Sequence, residues 1–197
     1  MATDRTPQLE AQLERLVAAA REGDRGAFDE LVRRTYVDTY TLAVRLTANE
    51  EDARDVVQEA YLRAWKGIGN FRGDAQFTTW LYRITANAAY TLVQKRRRRR
   101  VEPLDTVDEP PELAVEALPE AAAESALLLR QLSNAVAQLP PKLRAVVVLK
   151  DVYGLSHEAI AEELGISVAA AKVRLHRGRM KLRDTVFEEP GRSAHAV

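Results

Sequence analysis

Apolar residues recur along this chain at three- and four-residue intervals, the spacing that puts them on one face of an α-helix. Leu9, Leu13, Leu16, Val17 and Ala20 predict a first amphipathic helix, closed by Gly23. Asp24 or Gly26 opens a second, whose buried face reads Phe28, Leu31, Val32, Tyr36, Tyr40, Ala43 and Leu46. Thr47, Ala48 and Asn49 then break the pattern. A third helix is expected from about Glu51 to Ile68, with Ala53, Val56, Val57, Ala60, Ala64 and Ile68 inward. Gly67, Gly69, Asn70 and Gly73 interrupt it with residues that permit turns and positive φ. Asp74 is the expected N-cap of a fourth helix, with Phe77, Leu81, Ile84, Ala88 and Leu92 as its buried stripe. Trp65 and Trp80 are expected in the same core.

Residues 101–125 lose this periodicity. They carry Pro103, Pro110, Pro111 and Pro119 among acidic residues and read as a linker. The helical pattern returns at 126–139, with Leu128, Leu132, Val136 and Leu139 on one side. Pro140-Pro141 ends that helix and starts the next, in which Leu143, Val146, Val147 and Leu149 point inward and which Gly154 stops. Ser156 caps a short helix, His157–Leu164; Gly165 turns the chain; Ser167 caps a long last helix to about Val186. This is helix-turn-helix spacing. The expected fold class is all-α: two small helical domains joined by a flexible acidic linker. The expected boundaries are 1–8 for a disordered N-terminus, 9–100 for a four-helix bundle, 101–125 for the linker, 126–186 for the helix-turn-helix domain and 187–197 for a loose tail.

Charge sharpens this division. The formal net charge is zero, yet residues 1–100 carry +4, residues 101–127 carry −8 and residues 128–197 carry +4. Lys95 and five arginines, Arg96 to Arg100, end the fourth helix, and residues 172–183 contain six Lys/Arg and no Asp/Glu. Two basic blocks point to a polyanion partner, against the alternative of solvated helix surfaces. The last helix has Val168, Ala171, Leu175, Gly178 and Leu182 as its inner seam. Lys172, Arg174, His176, Arg177, Arg179, Lys181 and Arg183 face out, a surface suited to the major groove of B-DNA.

Other chemistries find little support. The chain of 197 residues has no cysteine, which excludes disulfides and thiolate metal sites and fits a reducing cytoplasm. His157, His176 and His195 are scattered, without metal-ligand spacing. No apolar run approaches the ~20 residues needed to span a bilayer, and no secretory signal is visible at the N-terminus. Paired carboxylates such as Asp52/Asp55 and Glu50/Glu51 have no phosphate loop, activated nucleophile or ligand cluster beside them. The chain is therefore expected to be no enzyme and to need no metal or cofactor.

The stretch DARDVVQEAYLRAW, followed by NFRGDAQFTTWLYRITANAA, resembles domain 2 of the extracytoplasmic-function (group 4) sigma factors of the sigma-70 family. These are bacterial promoter-specificity subunits of RNA polymerase. The elements D-x-V-Q-E, A-W, F-R-G and T-W-L occur in order, and the resemblance covers roughly residues 10–100. KVRLHRGRMKLR resembles the recognition helix of sigma domain 4. This chain has Ala169–Ala171 where the family carries a small polar or β-branched run, and Val173 where a serine is common.

The resemblance implies a set of roles. Asp52, Asp55, Gln58, Glu59 and Arg63 would dock on the clamp helices of the largest subunit of core RNA polymerase; the flap of the second-largest subunit is a further implied partner surface, with no residues assigned to it. Asn70, Phe71, Arg72, Gly73 and Asp74 would capture an unstacked base of the −10 promoter element. Thr79, Trp80, Tyr82, Arg83 and Asn87 would line the strand, and Lys95, Arg96 and Arg97 would hold phosphates. Ser167, Ala170, Lys172, Arg174, His176, Arg177, Arg179 and Lys181 would read the −35 element. The implied partners are core polymerase, promoter DNA and an anti-sigma factor, with no membrane insertion and a cytoplasmic location. The linker would track through a polymerase channel. Two other classes remain open from the residues: a stand-alone helix-turn-helix regulator, and a helical interaction protein that binds no DNA.

Overall fold

The computed structural model describes residues 7–99 and 131–187, with side chains from 10–96 and 131–186. Every regular element among them is helical. The expected linker, the first six residues, residues 126–130 and the tail beyond 187 lie outside the described residues.

Helix α1 spans Pro7–Arg21, α2 Arg25–Thr47 and α3 Glu50–Gly67. A 3₁₀ turn at Ile68–Asn70 leads to a loop, and α4 spans Phe77–Arg99. The second half holds α5 over 131–138, α6 at Pro141–Val147, a π-turn at Val148–Val152, α7 at His157–Leu164 and α8 at Val168–Phe187. Local chemistry explains most boundaries. Asp24 accepts from the Ala27 amide at 3.1 Å, and Asn49 from the Asp52 amide at 2.9 Å, so each caps its helix. Ala48 ends α2 in the left-handed region at φ 55, held by its amide on the Val44 carbonyl. Glu50 and Glu51 then sit in the first turn of α3, where the helix dipole favours negative charge.

Three expectations change. Helix α4 starts at Phe77 rather than near Asp74: Gly73 takes φ 79, and the first turn closes on the Gln76 carbonyl, which accepts from the Trp80 amide at 3.1 Å. Tyr36 is 45% exposed, and Thr35 and Thr39 occupy the buried face of α2 instead. Each threonine donates its hydroxyl proton to the carbonyl four residues back, at 2.7 Å. The Tyr61 hydroxyl donates its one proton to Thr39 at 3.1 Å, and its oxygen lies 2.9 Å from the Thr35 hydroxyl. Burial pushes the Tyr61 pKa up despite these contacts. Leu132, expected inward, is 44% exposed, while Val136 and Leu139 pack.

Two apolar clusters hold the molecule. One joins α1, the N-terminal half of α2, the end of α3 and the start of α4 around Leu13, Phe28, Leu31 and Leu81, with Trp65, Phe71 and Trp80 packed against it. The other crosses from the first half to the second, from Leu42, Leu46, Val56 and Ala89 to Val146, Leu149, Ile160 and Leu175. Arg144 crosses with it. Its buried guanidinium donates to the carbonyls of Leu139 at 3.0 Å and Leu46 at 3.3 Å, and to that of Ala137. Burial lowers its pKa to about 10, which leaves it charged at neutral pH.

Gly178 sets how closely α8 lies on α6. A Cβ there would meet Val147 Cγ2 at 2.5 Å. Replacing Gly178 with Ala should improve helix propensity by about 1 kcal/mol and still lower stability by a net ~1–2 kcal/mol through overpacking, read by urea denaturation; a net gain would show that the two helices can separate freely. Replacing Arg144 with Met should cost about 2–3 kcal/mol, because the acceptors are neutral carbonyls that would lose a charged donor. The same denaturation series checks it.

Candidate nucleic-acid interfaces

The loop at 70–76 places Asn70, Arg72, Gly73 and Asp74 in solvent. Phe71 does not join them fully. It is half-buried, with its ring centroid 5.0 Å from Trp80 and 6.2 Å, edge-on, from Phe77. Between this cluster and α1 lies a cleft of 260 Å³, walled by Leu13, Val17, Phe71 and Phe77 and rimmed by Glu10 and Gln76. Gln76 Nε2 donates to Glu10 at 2.9 Å and ties the loop to α1. The structure thus combines exposed polar loop residues, an aromatic floor and an open recess, the parts with which an unstacked base can be held.

Along α4, Thr79, Trp80, Tyr82, Arg83 and Asn87 are all half-buried. The second half covers three of them. Arg83 Nε donates to Glu163 at 2.9 Å, and its Nη2 pairs with Glu162. Asn87 Nδ2 donates to the Glu163 carbonyl at 3.3 Å. The Tyr82 ring meets Tyr153 edge-on at 4.7 Å. Burial lifts the Tyr153 hydroxyl to about 12, so it stays neutral, and it accepts from Arg45 at 3.4 Å. Nothing in the sequence pattern marks Glu162 and Glu163 as partners of Arg83; they stand about 80 residues away along the chain. Further along α4, Lys95 is exposed and Arg96 pairs with Asp52 at 2.7 Å; the Arg97 side chain lies outside the described residues.

On α3, Asp55, Gln58 and Glu59 are exposed, and Glu59 holds Arg63 at 2.6 Å. Asp52 differs from the expectation: only 5% exposed, it faces Arg96 instead of solvent. Its position four residues before buried Val56 puts it on the edge of the packed face. Leu62, which charge-seeking analysis passes over, is 49% exposed beside Gln58 and Glu59. It borders a shallow groove with Phe28, Tyr61 and Trp65, so an apolar spot adjoins the polar face.

In the helix-turn-helix, Ser156 and Ser167 accept at 3.1 Å from the amides of Ala159 and Ala170, and Gly165 turns at φ 59. Ser167 is thus engaged in capping α8. Lys172, His176, Arg177 and Lys181 are exposed on one side of α8, and Ala170 is half-buried. Arg174 is half-buried, since it lies between seam residues Ala171 and Gly178 along the helix face; its Nη1 is buried without a hydrogen bond. Arg179 is exposed and bidentate to Asp151 of the π-turn, with Nε at 3.0 Å. That carboxylate raises the arginine pKa further. Among the described residues no group of three or more His, Asp or Glu could hold a metal ion, and no helix is long and apolar enough to cross a membrane.

Residues 31–99 match the Sigma-70 region 2 family, and residues 129–182 match the Sigma-70, region 4 family. The ECF RNA polymerase sigma factor SigE of Mycolicibacterium smegmatis is 38% identical over 179 residues, 89% of this chain and 68% of that relative. The RNA polymerase sigma-H factor of Pseudomonas aeruginosa is 35% identical over 175 residues, 85% of this chain and 90% of that one. Among solved structures, CnrH in complex with the cytosolic domain of CnrY superposes with a TM-score of 0.52 at 30% identity, over 85% of this chain and 92% of that one.

Proposed function

The chain belongs to the extracytoplasmic-function sigma factors of the sigma-70 family, alternative sigma factors that direct promoter-specific transcription, and from that premise we propose how its residues divide the work. The observation that carries the reading is the pairing, in one chain, of an exposed cationic face on a serine-capped α8 with an open loop and aromatic recess before α4. The first suits duplex and the second suits an unstacked strand.

On this reading, Lys172, His176, Arg177 and Lys181 contact the −35 duplex directly. Arg179 is held in place by Asp151, and Ser167 acts by fixing the helix start. Asn70, Arg72 and Asp74 present polar groups to a base extruded from the −10 element, and Phe71 and Trp80 supply the stacking surface. Extrusion costs a few kcal/mol, and one aromatic contact returns roughly 1–3 kcal/mol, so the polar loop must supply the balance. Asp55, Gln58 and Glu59, with Leu62 beside them, form the docking face for the clamp helices of core polymerase. Nucleotide transfer belongs to the polymerase, and no residue of this chain is assigned to catalysis. We place the protein in group 4 of the family, working in the cytoplasm with polymerase. An anti-sigma partner is part of this reading; the similar CnrH is itself seen in complex with a second protein.

A stand-alone helix-turn-helix regulator is not favoured, since it leaves residues 31–99 and their Sigma-70 region 2 match without a role. Transcription reconstituted from the purified chain, sigma-free bacterial core polymerase and a fragmented genomic library decides between the two. Discrete 5′ ends with shared −35 and −10 motifs are expected. Tight duplex binding by the chain alone, without transcripts, would favour the regulator.

Two substitution sets test the assignments. Replacing Asp55, Gln58 and Glu59 together with Ala should weaken core-polymerase binding while leaving the far-ultraviolet spectrum intact; unchanged binding would show that the docking face is elsewhere. Replacing Arg177 and Lys181 with Ala should weaken −35 duplex binding by the polymerase complex. Its log–log salt slope should fall by about one for each phosphate contact removed.

A further inference from the structure

We propose that Val173 determines sequence specificity at the −35 element, by seating its isopropyl group on the C5-methyl of a thymine in the major groove. The inference rests on the reading of α8 as the duplex contact, and adds which base is read and by what chemistry. Val173 is 50% exposed, a branched apolar residue in the middle of a cationic face. It stands two positions from each of the seam residues Ala171 and Leu175, both buried. At about 100° per residue, it therefore projects roughly opposite to the seam, straight away from the protein. A helix laid in a groove puts that line of residues deepest, and the first turns of a recognition helix are the part that meets base edges.

The charged residues lie to either side of that line. His176 and Arg177 follow one turn later, with Lys172 and Lys181 further round the helix, and all four are exposed. They are placed to hold phosphates and neighbouring bases. The line itself offers no side-chain hydrogen bond in its first two turns. Ala169, Ala170 and Val173 have no polar side-chain atom, and the Ser167 hydroxyl caps α8, accepting from the Ala170 amide at 3.1 Å. Of the four bases, only thymine presents an apolar group in the major groove. Over the polar edge of guanine, cytosine or adenine, an isopropyl group would displace water and replace none of its hydrogen bonds. Over the thymine methyl it removes apolar surface of both partners from water.

Promoters found in the transcription experiment, randomised across the −35 region, supply the test. The full chain bound to core polymerase selects its element from that pool. The selected element is expected to hold an A·T pair at a fixed place. Each thymine is then replaced in turn by deoxyuridine, which loses the C5-methyl and keeps every hydrogen-bonding atom. At one thymine the replacement should weaken binding about fourfold, the factor that corresponds to one buried methyl-sized group. In Val173→Ala, thymine and deoxyuridine at that place should bind alike. Val173 is exposed, so this variant should unfold in urea as the parent does. Met180, two turns further along the same line, is also exposed, and Met180→Ala should keep the preference for thymine.

A selected element without a fixed A·T pair, or one in which no deoxyuridine weakens binding, overturns the inference and leaves α8 as the −35 reader. A preference that survives Val173→Ala, or that Met180→Ala removes instead, assigns the methyl contact to another residue and overturns it equally. If no −35 element is selected at all, the reading of α8 falls, and this inference with it.

Discussion

The two halves of this protein meet over a buried cation. Arg144 lies midway along α6 and donates to carbonyls of its own half, at Ala137 and Leu139, and to Leu46 at the end of α2. Its acceptors are helix-end carbonyls that have no intrahelical partner, so one guanidinium answers the unsatisfied ends of two helices at once. Charged donors to such carbonyls contribute about 1.5–3 kcal/mol each, before the cost of burying the charge. The apolar cluster that surrounds it runs from Leu42 to Leu175 without respecting the division into two domains. With that corner in place, α7 is brought against α4, and the positions of Glu162, Glu163 and Tyr153 follow.

The surfaces proposed for partners are held differently. Glu59 and Arg63 pair across one helical turn in solvent, and Glu50 pairs with Arg54 in the same way. Exposed pairs of this kind are worth ~0.3–0.5 kcal/mol, so a docking partner displaces them at little cost. Arg179 is restrained by the two-point contact with Asp151, which fixes its orientation while the neighbouring cations stay free. Arg83, with its side chain only 25% exposed and three groups of α7 around it and Asn87, sits in a drier setting where pairing counts for more.

Much of this was readable from residue spacing. The inward residues of α3 are buried as their period requires, the serine caps and Gly165 lie where the helix-turn-helix needs them, and α8 has its expected seam. The residues that depart from their spacing share a cause. Periodicity assigns a residue to a face but does not locate the face's edges. Tyr36 has the spacing of the buried stripe yet stands in solvent, whereas Thr35 and Thr39 are small enough to pack and can satisfy their hydroxyls within the helix. Charge alone puts Asp52 and Arg174 outside, yet both sit on the margins of a buried stripe. Arg96 and Arg179, expected on nucleic acid, have carboxylate partners distant in sequence.

The sequence by itself determined the all-helical class, the helix-turn-helix and the basic character of α8, because each depends on neighbours within one or two helical turns. It also carried the ordered motifs from which the family is known. Tertiary structure alone decided that the polar side of α4 is shared between a would-be ligand face and α7, that Arg144 joins the halves, and that Phe71 turns towards Trp80. Those outcomes rest on contacts between residues tens of positions apart. No local pattern encodes which carboxylate reaches which guanidinium; only the packing of the apolar faces brings them within hydrogen-bond range.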